Sequence, residues 1–120
     1  MRKVLFVDNE ITMKLALEII LKSQNDFQVI FKQFEKDALE FVKENEIAVI
    51  VCDYNLESQT GPQLIKMAKE RVPSLRTIVM SGEDIQSIRA ACEEAGVDLI
   101  LSKGNLHQTL IPAIKKLLET

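Results

Sequence analysis

Tryptophan is absent from this chain and tyrosine occurs once, as Tyr54, so little aromatic surface is on offer for stacking against a planar cofactor. The glycines number only four, and they form neither G-x-G-x-x-G nor G-x-x-x-x-G-K-[ST], which leaves dinucleotide binding and a P-loop without support. Cysteine occurs twice, and Cys52 and Cys92 lack metal-type spacing; both read as buried, reduced thiols in apolar patterns. The single histidine, His107, has no catalytic companion nearby and reads as a surface residue. Basic residues are not in excess: the net charge is −3 and no basic stripe is visible, which argues against nucleic acid as a direct partner. No apolar run approaches a membrane span. Met1-Arg2-Lys3 leads straight into a strand pattern, leaving no room for a signal peptide. The expected setting is the cytoplasm, away from any membrane.

What is present is an ordinary globular composition, 47% hydrophobic and 28% charged over 120 residues, enough for one domain spanning 1–120 with a real core. There is no repeat, linker or low-complexity stretch. Strand patterns at 3–7, 27–31, 47–52, 76–80 and 99–101 alternate with helical ones. Gln28 suits the second strand to a sheet edge. Ile11, Leu15 and Ile19 recur at a helical interval, and Phe34, Ala38, Phe41 and Val42 mark a second helix. Gly61-Pro62 opens a third, which Val72-Pro73 ends. Ile85, Ile88, Cys92 and Ala95 mark a fourth, closed by Gly96 in a left-handed cap. Leu110, Ile114, Leu117 and Leu118 mark a fifth, into which Pro112 fits if the helix begins late, near Thr109, or bends. Met13 and Met67 fall within helical patterns and read as core. Five βα units predict an α/β fold, a three-layer αβα sandwich around a five-stranded parallel sheet with right-handed crossovers.

Three charged residues each stand directly after an apolar run: Asp8 after Val4-Leu5-Phe6-Val7, Asp53 after Ile47-Ala48-Val49-Ile50-Val51-Cys52, and Lys103 after Leu99-Ile100-Leu101-Ser102. In an open parallel sheet the carboxyl ends of the strands share one edge, where ligands bind. Two carboxylates and an ammonium meeting there suit a divalent cation and a phosphoryl group. Each residue has a plainer use as well. Asp8 suits a helix N-terminus and Asp53 a solvated strand end; Ser81, which follows the fourth apolar run, suits a loop or cap hydroxyl. Lysines are mostly surface residues.

Four motifs in order, Val7-Asp8-Asn9-Glu10, Asp53-Tyr54-Asn55-Leu56 with Gly61 beyond, Met80-Ser81-Gly82, and Ala95-Gly96-Val97-Asp98 followed by Lys103, resemble the receiver domain of bacterial two-component response regulators. The resemblance covers the whole chain. It implies the flavodoxin-like strand order 2-1-3-4-5. It also implies that Asp53 accepts a phosphoryl group from a histidine kinase or phosphotransfer protein, with Ser81 and Lys103 contacting the phosphoryl oxygens. Mg²⁺ is then held by Asp8, Asn9, Asp53 and the backbone carbonyl of Asn55. The phosphoryl state is expected to change the surface of the fourth helix, fifth strand and fifth helix, and so the contact with a downstream protein. Under this resemblance the chain is a stand-alone signalling module rather than an output enzyme, monomeric or weakly dimeric through the fourth and fifth helices.

Some positions depart from the family pattern. Asn9 stands where a second aspartate is usual. Two carboxylates about 4 Å apart repel by roughly 4 kcal/mol at an effective dielectric of 20, so an amide there relieves repulsion and weakens the pull on Mg²⁺. Asn9 also suits an N-cap, and Glu10 is placed to reach a metal through water. Glu57 replaces a common proline, which predicts a more mobile loop. Gly104-Asn105 replaces Pro-aromatic, which removes a cis Lys-Pro bond. Ile100 replaces an aromatic switch residue. Asn55 and Glu83 flank the site, where they can act on the water that hydrolyses an acyl phosphate, and a short-lived phosphorylated state is expected. Two alternatives stay open: a degenerate receiver that binds a partner constitutively, and a flavodoxin-like small-ligand binder.

Overall fold

The computed structural model describes residues 1–119. The chain runs β1 (Lys3–Val7), α1 (Ile11–Leu21), β2 (Gln28–Lys32), α2 (Glu35–Glu44), β3 (Val49–Asp53), α3 (Gly61–Arg71), β4 (Arg76–Ser81), α4 (Ile85–Ala95), β5 (Leu99–Ser102) and α5 (Leu106–Leu118). A 3-10 turn at Lys103–Asn105 joins the last two. All four pairings are parallel and the order is β2-β1-β3-β4-β5, the flavodoxin-like arrangement expected. Helices α1 and α5 bury Leu17, Leu21, Leu110 and Ile114 against one face, where Phe6, Val51 and Met80 point. Helices α2, α3 and α4 bury Ala38, Val42, Leu64, Ile65, Ile88 and Cys92 against the other, over Leu5, Ile50 and Val79. Central strands covered on both faces explain why β1 and β3 read as unbroken apolar runs rather than alternations.

Local chemistry fixes the helix ends. At α3, Thr60 Oγ1 accepts from the Gln63 amide at 3.4 Å while Gln63 Oε1 accepts from the Thr60 amide at 2.9 Å, with Pro62 in the first turn. At α4, the Asp84 side chain caps the start and Gly96, at φ 79°, ends the helix in the left-handed region. Asp98 ties the start of β5 to β4, its Oδ2 accepting from the Thr77 amide at 2.8 Å.

Several boundaries differ from the sequence reading. The third, fourth and fifth strands each extend one residue further, to Asp53, Ser81 and Ser102. A polar side chain ends an apolar run, but the backbone ladder continues through it. The second strand is shifted by one, to Gln28–Lys32, and the third begins at Val49. Helix α5 starts at Leu106, not near Thr109, and runs through Pro112. Pro112 lies on the exposed side, where water can satisfy the carbonyl that the missing N–H leaves unbonded. Met67 is 41% exposed rather than core.

Candidate functional site

Strand register brings the charged residues together. Val7 pairs with Cys52 across β1 and β3, so the residues that follow, Asp8 and Asp53, stand side by side at the carboxyl edge. Asp53 pairs with Met80, and Ser81 pairs with Ser102, the residue before Lys103. Asp8, Asp53 and Ser81 are all buried at 7% exposure or less.

Lys103 is the hub. Its Nζ lies 2.9 Å from Asp53 Oδ1, 3.8 Å from Glu10 Oε1 and 4.0 Å from Asp8 Oδ2. Its base is set by the 3-10 turn, in which Ser102 Oγ accepts from the Gly104 amide at 3.3 Å. No described peptide bond is cis; this loop is built on a short helical turn instead. Asp8 Oδ1 accepts from the Glu10 amide at 2.9 Å, whereas Asp8 Oδ2 is buried without a hydrogen-bond partner among the described residues. Burial is the main reason the Asp8 carboxyl is pushed up from 3.8 to about 6; the Glu10 amide and Lys103 oppose this, and the Asp53 charge adds to it. One carboxylate oxygen from each of Asp8, Glu10 and Asp53 lies within 4.8 Å of the others. Three carboxylates against one ammonium leave a pair of negative charges when all are ionised. That oxygen-only donor set, with a buried oxygen lacking a hydrogen-bond partner among the described residues, fits a hard divalent cation.

The sequence-predicted residues are not equally placed. Asp8, Asp53 and Lys103 converge, and Ser81 is held beside them with its Oγ accepting from the Glu83 amide at 2.9 Å. Asn9 follows Asp8 but its side chain makes no hydrogen bond to a described residue, and the N-cap position of α1 belongs to Glu10. The N-cap use of Asn9 is therefore not found; the Asp8 carboxylate takes the orphan amide. Asn55 lies in the β3–α3 loop, paired with Thr60, and its Nδ2 donates to Glu83 Oε2 at 3.4 Å. Glu10 belongs to the cluster more directly than its exposed helix-start position suggested.

Glu35 carries no sequence signal that ties it to the site. It is 8% exposed at the start of α2, and its Oε1 accepts from the Ser58 amide at 3.1 Å. Burial pushes this carboxyl up, but hydrogen bonds led by the Ser58 amide outweigh it and hold the group below its ordinary value. The loop after Asp53 is thus tied to α2 at Ser58, one residue beyond Glu57. Glu35→Ala should cost about 2 kcal/mol, the range for a hydrogen bond to a charged group. It should also raise amide exchange at Ser58 by roughly tenfold or more. Unchanged exchange at Ser58 would show that the loop is held by other contacts.

Residues 4–115 match the family model described as the response regulator receiver domain. The hydrogenase transcriptional regulatory protein HoxA of Cupriavidus necator is 30% identical over 117 residues, covering 97% of this chain and 24% of that protein. The two-component response regulator ORR5 of Oryza sativa subsp. japonica is 31% identical over 103 residues, covering 83% of this chain and 76% of the relative. Among solved structures, the signal receiver domain of an HD domain-containing protein from Pseudomonas fluorescens Pf-5 matches with a TM-score of 0.88 at 24% identity, covering 98% of this chain and 87% of that one. The chain thus spans about a quarter of HoxA, and 55% of the staphylococcal response regulator VraR. No helix among the described residues is long and apolar enough to cross a membrane.

Proposed function

The chain belongs to the receiver-domain family of two-component response regulators, and on that premise we propose that it is a phosphorylation-controlled interaction module whose acceptor is Asp53. The observation that carries this is the Lys103 ammonium 2.9 Å from a buried Asp53 carboxylate, with Asp8 and Ser81 at the ends of the adjoining strands. The proposed donor is a phosphohistidine on a histidine kinase or phosphotransfer protein. An Asp53 oxygen forms the new O–P bond as the P–N bond breaks; the imidazole nitrogen keeps that electron pair and is protonated.

Anion meets anion in this step, so charge compensation decides its rate. Lys103, already shared among three carboxylates, is the resident cation. Asp8, Asp53 and the Asn55 carbonyl would hold Mg²⁺, with Asn9 offering an uncharged amide oxygen and Glu10 a third carboxylate from the outer side. When bound, the ion supplies positive charge where the donor phosphoryl oxygens approach. The Ser81 oxygen already accepts from Glu83, so its hydroxyl proton remains to donate to a phosphoryl oxygen. Drawing that hydroxyl inward pulls on the β4–α4 loop, which carries the change toward α4, β5 and α5. Ile100 cannot supply a swinging ring, so packing and backbone shifts transmit it.

Incubation with a small phosphodonor and Mg²⁺, followed by intact mass, tests this. The expected result is one added phosphoryl group, absent from Asp53→Asn, with Asn9→Asp lowering the Mg²⁺ concentration needed for half-maximal labelling. No mass shift in a folded protein would replace this reading with a constitutive interaction module. Labelling at low Mg²⁺ that Asn9→Asp leaves unchanged would remove the weakened-metal part alone.

A further inference from the structure

Helix α1 is apolar on two sides. Leu17 and Leu21 are buried in the core, with Met13 and Ile20 packed at its margin. On the opposite side Ile11, Leu15 and Ile19 are 69%, 56% and 76% exposed. These three recur every fourth residue, so they form one stripe along the outer face. A helix apolar all round ordinarily has cover all round, and among the described residues nothing covers this stripe.

We propose that a second copy of this chain covers it, α1 packing antiparallel on α1 about a two-fold axis at Leu15. The stripe is a palindrome in space. Ile11 and Ile19 lie four residues, about 6 Å, on either side of Leu15. A two-fold axis there sets Leu15 against its own copy and Ile11 against the partner's Ile19, the self-complementarity that an isologous contact requires. Charge follows the same symmetry. Lys14 and Glu18 share one flank of the stripe, and in an antiparallel pair like flanks meet. Each Lys14 then falls beside the other copy's Glu18, offset by two residues, or about 3 Å. Glu18 has no ion pair among the described residues. Lys14 makes only a surface contact with the Phe31 ring, at 5.6 Å. The other flank carries Thr12 and Ala16, small enough for close approach. A parallel pair would instead set the charged flank against Thr12 and Ala16, with no opposite charge of the partner facing either residue. One three-residue stripe is well below the area of a permanent dimer, so the association is weak and concentration-dependent. It is independent of the phosphorylation proposed above, and it uses a different surface from α4 and α5.

Sedimentation equilibrium of the whole chain from about 10 µM to about 1 mM tests this. The weight-average mass should rise from 13.6 kDa toward twice that value. Leu15→Lys, at an exposed position, should abolish the rise while leaving the circular dichroism spectrum intact. Glu18→Lys and Lys14→Glu should each weaken association several-fold, and the double reversal should restore it. Under mild oxidation Leu15→Cys should cross-link, because the two-fold brings it within disulfide reach of its copy. Lys22→Cys should not, because its two copies would lie about 20 Å apart along the helices. A mass constant at 13.6 kDa over the whole range would overturn the proposal and leave the stripe to a different protein. So would a dimer that survives Leu15→Lys, since it must use another face, and so would equal cross-linking at positions 15 and 22.

Discussion

Gly61→Ala is expected to destabilise the protein by about 3 kcal/mol or more, the upper end for overpacking. A Cβ at this position would stand 2.4 Å from the Asp53 carbonyl oxygen, 2.8 Å from Cys52 Sγ and 3.2 Å from the Asp53 carbonyl carbon. The first and last of these are backbone atoms of a buried strand, which no side-chain rotation can move aside. Relief requires α3 to shift away from β3. That shift breaks the Gly61 amide bond to the Tyr54 carbonyl, 2.7 Å long, and disturbs the Thr60–Gln63 capping box beside it. Thermal unfolding followed by circular dichroism should show a midpoint roughly 10 °C lower or more. Gly82→Ala is the matched control: its Cβ would meet only Lys103 Cδ, at 3.9 Å, which is ordinary contact. It should change stability by less than about 0.5 kcal/mol. Equal effects at the two glycines would show that the close approach of α3 to Asp53 is not what Gly61 provides. The same approach explains why a glycine belongs eight residues after Asp53: it lets the helix dock directly on the end of β3, at Asp53 itself.

The alternation of apolar runs with helical periods was enough to place five βα units, because β1, β3 and β4, buried along nearly their whole length, leave a plain apolar composition, whereas the less buried β2 carries the weakest pattern. The site was legible for the same reason. Asp8, Asp53 and Lys103 mark the ends of those runs, and neighbouring parallel strands must bring their ends together. The phase of α1 was not legible. Ile11, Leu15 and Ile19 give a clean helical period, yet Leu17 and Leu21 are the residues buried. When both sides of a helix are apolar, periodicity identifies the helix but cannot choose its buried side. Glu35 was illegible for another reason: it lies 23 residues before Ser58 in sequence, and only the docking of α2 beside the β3–α3 loop brings them together. Glu10 was half-legible. Its position beside Asp8 was plain, but its membership of the carboxylate cluster depends on where Lys103 reaches from β5.

In metal-free protein Asp8→Asn is expected to raise stability at neutral pH by up to about 3 kcal/mol, and to remove a pH dependence that the unsubstituted chain shows. The folded Asp8 carboxyl is held at about 6, above its ordinary 3.8, so between those values the folded state binds the proton that the unfolded state has released. Stability from this group is therefore full below 3.8 and is lost as pH rises through about 6. The loss runs at about 1.4 kcal/mol per pH unit within that window. At neutral pH the chain carries a buried carboxylate with one oxygen lacking a hydrogen-bond partner among the described residues, beside a second buried carboxylate and only one lysine. An amide at position 8 relieves the charge and can donate to Asp53, at the expense of the weak attraction to Lys103. Urea unfolding between pH 4.5 and 7.5, with and without Mg²⁺, reads this out. Without metal, Asp8→Asn should be the more stable protein at neutral pH, and its stability should be flatter with pH. With Mg²⁺ the unsubstituted chain should gain more, closing the gap, since ligand binding stabilises by RT ln(1 + [L]/Kd) and the variant has lost a charged ligand. A variant less stable than its parent in metal-free buffer at neutral pH, with the slope between pH 4.5 and 6 unchanged, would show that Asp8 is adequately paired in the folded state. The expected outcome is the reverse: a metal-free protein kept below its attainable stability by the mutual repulsion of its acidic cluster.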